Sequence, residues 1–261
     1  MSVTGKGVTM GVPSTIVNPL TINKNGQYTA AEGQAYGPVT VDVNMFSFVV
    51  KGSGSFKTTG DVNVNFGDTS ADYSGTSTTV NFAYDDEKAH RIVVTGNLTN
   101  ISFQNCTGLL SVDVPFPKSM DIGAGGLYST FSGCTRLERI PSGLLDNIPT
   151  RTAYQLTFDN CTSLKEIPRG LFDKAAGLNN LRGCFQRCTS LTAIPGDIFD
   201  QNDEITIFQA CFNQCTALTG PAPELWDTTR WPRVQSYELC FYGCTGLSNY
   251  ADIPSGWKDA L

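Results

Sequence analysis

The sequence predicts a β-rich α+β chain: an N-terminal hairpin, a small antiparallel β unit, and a solenoid of six coils of about 27 residues. Three observations predict it. The motif Phe-x-x-Cys-Thr recurs six times, the residues before it alternate apolar and polar with period two, and 26 glycines and 13 prolines punctuate the chain. With 40% hydrophobic and 16% charged residues, the composition is that of an ordered globular protein.

Residues 1–44 form the first element. Leu20–Ala30 and Tyr36–Val43 are alternating runs joined by a Gly-containing stretch, which predicts a short hairpin. It is too small for a core of its own, so it is expected to attach to something else. Residues 45–100 form the second. Strands are predicted at Phe46–Val50, Val62–Phe66, Thr78–Phe82 and Arg91–Val94, with a turn at Gly67-Asp68-Thr69-Ser70.

Residues 101–261 carry the repeats. The motif begins at Phe103, Phe131, Phe158, Phe185, Phe212 and Phe241, and its cysteines are Cys106, Cys134, Cys161, Cys188, Cys215 and Cys244. Three residues after each Cys stands a leucine, from Leu109 to Leu247, and the central copies continue as Leu-x-x-Ile-Pro. An apolar pair and Asp close four units, at Asp146, Asp173, Asp200 and Asp227. A period near 27 with one short apolar segment per unit is what a stacked coil requires. Leu-x-x-Ile is predicted as the coil's short strand, ended by Pro, and Phe-x-x-Cys as a helical or turn segment on the opposite side.

The net charge of −6 is spread as −2 over residues 1–100 (6 basic, 8 acidic) and −4 over residues 101–261 (12 basic, 16 acidic), which disfavours nucleic acid as a partner. No apolar run reaches the 18 residues or so of a membrane span, and Met1–Lys6 does not open a signal peptide. A reducing cytosol is therefore expected, with the nine cysteines as thiols. Cys184, Cys211 and Cys240 stand four residues before a motif Cys, but Cys-x-x-x-Cys is not the usual zinc spacing. The cysteines read as small buried hydrophobes, with inter-coil bridges such as Cys184 to Cys211 as the alternative under oxidising conditions.

No enzyme is predicted and no cofactor. A nucleophilic site would have to use the single histidine, His90, which lies in a strand-like run without a motif. Asp68, Asp72, Asp85, Asp86 and Glu87 do not fit a calcium loop and read as solvated turns. The candidate partner-binding residues are Trp226, Arg230, Trp231, Arg233, Tyr250 and Trp257, where aromatics crowd the last coils and Thr228–Arg233 departs from the repeat. Core and capping roles are the alternative for the same aromatics.

The repeat, read from Phe158 to Asp173, resembles the BspA-type leucine-rich repeats of bacterial, protist and phage surface proteins over about 101–256. Val64–Asp68 with Ala89–Val94 is similar to the signatures of PKD-like, immunoglobulin-like sandwiches, with Phe66 and Thr69 as departures. Asn25-Gly26-Gln27-Tyr28-Thr29-Ala30 with Tyr36–Val43 resembles short modules of bacteriophage tail-associated and other structural proteins. Together these resemblances imply a non-enzymatic virion protein, tail-associated or a capsid-surface fibre or decoration, assembled in the bacterial host cytoplasm. They imply other virion proteins as partners of the N-terminal module, a host-surface protein or glycan as partner of the solenoid, and a homo-oligomer. A bacterial cell-surface adhesin is the alternative.

Overall fold

The computed structural model describes residues 21–22, 28–29, 44–122, 126–148 and 153–259. It is β-rich, with antiparallel sheets and, among the described residues, one four-residue α-helix. Strands β1 (Thr21–Ile22) and β2 (Tyr28–Thr29) pair antiparallel. Both fall inside the first of the two alternating runs, and the second, residues 36–43, lies outside the described residues.

Eight further strands build two sheets. β3 (Phe46–Val50), β5 (Val62–Asn65), β6 (Ser70–Tyr73), β8 (His90–Gly96) and β10 (Leu109–Val112) make a five-stranded sheet in the order β10-β3-β8-β5-β6. β4 (Ser53–Thr59), β7 (Thr78–Ala83) and β9 (Asn100–Ser102) make a three-stranded sheet in the order β7-β4-β9. Alternation explains the faces: Val62 and Val64 of β5 and Val80 and Phe82 of β7 are buried while their neighbours are not. Phe48 of β3 meets Phe56 of β4 edge-on at 5.0 Å, so the two sheets share a core.

β9 begins at residue 100 and β10 lies beyond it. They flank the first Phe-x-x-Cys motif, so the first repeat is built into the sheets. Phe103 contacts Phe48 at 4.7 Å, and Phe46 stacks on Phe116 at 5.2 Å. One continuous apolar cluster runs from Phe46 to Trp257, and no linker divides it at 100/101.

Beyond β10, each repeat lies against the next. The six motif phenylalanines stack face to face at 5.2–5.8 Å with rings within 7° of parallel. Between them the backbone forms a ladder: Phe131 N donates to Thr157 O, Phe158 N to Cys184 O, Phe185 N to Cys211 O and Phe212 N to Cys240 O, at 2.8–2.9 Å. Single parallel bridges link Ala153, Asn180, Ile207 and Ser236, each five residues before its Phe.

Leu-x-x-Ile, expected to be the strand, makes no regular strand after β10. It contributes one or two backbone bonds per coil, such as Glu138 N to Leu110 O and Thr219 N to Thr192 O. Its leucines and isoleucines are buried, so the apolar pattern reports packing, while the better pairing falls on the Phe side. Phe-x-x-Cys itself is a turn and not a helix. The residue before each motif Cys has positive φ, from 57° at Asn160 to 77° at Gly133 and Gly243, which reverses the chain after each Phe. Glycine suits this, and at Gly133 a Cβ would stand 2.3 Å from Asn105 Oδ1. Arg187 (φ 61°) and Gln214 (φ 58°) hold the same conformation at a cost of about 1 kcal/mol each.

Why the motif needs Cys follows from its hydrogen bonds. Each Phe carbonyl accepts the N–H of the Cys three residues on, closing its own turn, and from Phe103 to Phe212 it also accepts the thiol of the next coil's Cys. Phe158 O, for example, takes Cys161 N and Cys188 Sγ, both at 3.2 Å. The same holds for Cys134, Cys161, Cys215 and Cys244, whose thiols reach the preceding coil's Phe carbonyl at 3.0–3.2 Å. A thiol is small enough for the buried gap and still a donor.

Phe185→Ala removes a ring stacked between Phe158 and Phe212, and is expected to cost about 3–5 kcal/mol in denaturant unfolding. A loss below about 1 kcal/mol would show that the ring stack is incidental.

Candidate functional site

The aromatic-rich end of the chain was the sequence's candidate surface, and the structure does bring its residues together. What they form is a terminal cap. Helix α1 (Ser255–Lys258) carries Trp257, which is buried, lies on Tyr237 at 4.8 Å and follows Phe241 at the end of the ring stack. Trp257 O accepts the last ladder bond from Phe241 N at 2.8 Å. Half-buried Trp226 meets Phe241 and Trp257 edge-on, and Lys258 Nζ sits 5.0 Å over the ring of half-buried Tyr250.

Trp231, expected in a contact loop, is only 7% exposed and packs edge-on against Phe199 and Phe208. Arg230 lies 5.3 Å over the Trp231 ring and pairs with Asp200, and Arg233 pairs with Glu204. Trp231 and Trp257 are therefore core residues, and the two arginines are engaged in joining neighbouring coils. The same role falls to Lys165–Glu138, Arg169–Asp197, Lys174–Asp146 and the double contact of Arg187 with Asp159 at 2.8 Å.

Among the described residues the exposed large apolar side chains are Tyr128 (57% exposed) and Tyr242 (39%). Tyr242 belongs to the aromatics that crowd the last coils, whereas Tyr128 lies outside that cluster. Aligning the coils would have found Tyr128, because its equivalents are Gln155, Arg182, Gln209 and Glu238, so a tyrosine there has no apolar neighbour to pack on.

All nine cysteines are buried and none is bridged. Burial pushes their thiols up, Cys244 to about 12, which removes the thiolate needed for nucleophilic attack. Among the described residues no cluster of three or more His, Cys, Asp or Glu is placed to hold a metal. His90 Nε2 meets Asp86 Oδ1 at 2.5 Å, and its ring stacks on Tyr84 at 3.8 Å. Tyr84, whose hydroxyl donates to Phe66 O, is raised to about 12 by burial and by Asp68. A recess of about 370 Å³ lies beside edge strand β6, lined by Asp61, Val62, Asn63, Asp72, Tyr73 and Ser74.

Comparison with protein-family models, characterised proteins and solved structures returned no match.

Three surface carboxylates sit below their usual range, each chiefly through a side-chain hydrogen bond: Asp86 with His90, Glu87 with Lys51 and Glu138 with Lys165. A carboxylate with a depressed folded-state pKa stabilises the fold above its unfolded value of about 4, and that contribution is lost as pH falls through the folded value. Melting temperature is thus expected to fall below about pH 4, with a shallower acid limb in Asp86→Asn. An unchanged limb in that variant would contradict the Asp86–His90 contribution.

Proposed function

We propose that this chain is a non-enzymatic display protein of a bacteriophage particle, tail-associated or a capsid-surface fibre or decoration. In this reading an N-terminal attachment module (1–44) precedes a PKD-like sandwich that caps a BspA-type leucine-rich-repeat solenoid. The observation that carries it is the ring and hydrogen-bond stack from Phe103 to Phe241, which closes on strands at one end and on Trp257 at the other. Both ends of the stack are covered, so it offers its sides to a partner and does not extend end to end with other copies. Nine buried, unbridged thiols favour assembly in a reducing cytoplasm over an oxidising cell surface, which ranks the virion reading above that of a bacterial adhesin.

The N-terminal module is the part assigned to attachment and self-assembly. Light scattering after size exclusion, under reducing conditions, should give a defined oligomer for the full chain and a folded monomer for residues 45–261, which contain the whole described apolar core. A full chain that is monomeric, or an oligomer that survives the truncation, would contradict an assembly role for residues 1–44.

A further inference from the structure

The side of the stack over the phenylalanine ladder differs from the rest of the surface. The residue three before each ladder Phe is in backbone register with its equivalents: Ser129 N bonds Gln155 O, Leu156 N bonds Arg182 O, Gly183 N bonds Gln209 O and Ala210 N bonds Glu238 O. The residues one and two after the Phe are in register too, with Gly133 N on Asp159 O, Asn160 N on Gln186 O and Gln214 N on Tyr242 O. The Phe ring and the Cys between these positions point into the core. What remains outward is rich in carboxamides, notably Gln155, Gln186, Gln209 and Gln214, all half-buried or exposed.

Tyr128 stands toward one end of this side and Tyr242 at the other. They belong to the second and sixth coils, so they are offset by about 20 Å along the stack at the strand spacing. The charged residues in these positions are Arg182, Arg187, Asp159 and Glu238, which sum to zero on a chain of net charge −6. Arg187 and Asp159 already satisfy each other. The surface thus combines carboxamide donors and acceptors with two exposed rings and no net charge.

We propose that this phenylalanine-side face binds a linear, uncharged glycan, with Tyr128 and Tyr242 stacking on sugar rings and the glutamine side chains between them bonding hydroxyls. The chemistry matches at each point. Sugar hydroxyls are donors and acceptors at once, as carboxamides are, and the apolar face of a pyranose needs an exposed aromatic ring. Polyanionic chains have no cationic surplus here to attract them. The proposal rests on the display reading and names the partner class of that surface.

The test is isothermal titration of the full chain with maltohexaose, cellohexaose, laminarihexaose and chitohexaose, beside heparin and alginate hexasaccharides. At least one neutral hexasaccharide is expected to bind. Tyr128→Ala and Tyr242→Ala are each expected to weaken it at least tenfold without changing the melting temperature, because both rings are exposed. Thr192→Ala, on the exposed Leu-x-x-Ile segment, is expected to leave it unchanged. No binding of any neutral hexasaccharide at millimolar concentration, preference for the anionic chains, or indifference to both tyrosine variants would overturn the assignment. If the N-terminus-dependent oligomer forms while no hexasaccharide binds, the glycan surface falls and the display reading stands. Glycan binding by a monomer does the reverse.

Discussion

The structure depends on one doubly used acceptor. Each ladder phenylalanine offers a carbonyl that takes the backbone N–H closing its own turn and the thiol of the following coil. The first bond forces the chain to reverse after Phe, with a positive φ before Cys; the second fixes the next coil at the distance where its ring stacks on the first. Ring stack, turn geometry and cysteine content are thus consequences of a single local arrangement. An individual thiol bond is weak, and the backbone ladder and ring burial carry the greater part of the stability. The thiol's contribution is selective: it satisfies a buried lone pair in a space too small for most other donors.

Such a stack has two raw ends, and the chain closes both. At the start, β9 and β10 carry the first repeat into the antiparallel sheets, and Ser111 of β10 bridges to Arg139 of the second coil. At the finish, α1 turns Trp257 onto Phe241, and Lys258 ties the helix to Tyr250 O and Ala251 O. Exposed inter-coil ion pairs lie along the sides, where they set register more than they add stability.

Much of this could be read from the residues. Phe46–Val50 forms a strand over the expected span, and Val62, Thr78 and Arg91 all lie in strands, because alternation of large apolar and polar residues is unambiguous there. β4 escaped, since Ser53-Gly54-Ser55 carries no apolar signal and only Phe56 and Thr58 turn inward. Leu-x-x-Ile misled for a different reason. Buried side chains mark the coil's interior whether or not the backbone pairs well, and the pairing that matters lies beside Phe-x-x-Cys, where sequence shows only a turn. For the aromatic cluster the residues left both a contact surface and core or capping roles open; tryptophans 231 and 257 fill the core, because large rings in a terminal coil close it as readily as they bind a partner.

If the carbonyl, thiol and ring arrangement joins sheets and repeats into one body, their amides must open together. Native-state hydrogen exchange in low denaturant measures this directly. Phe131, Phe158, Phe185 and Phe212 amides are expected to exchange with the same free energy as Phe48 and Ile92 in β3 and β8, through global unfolding. Exchange of the ladder amides by a separate opening, with the sheet amides still protected, would contradict a single cooperative stack.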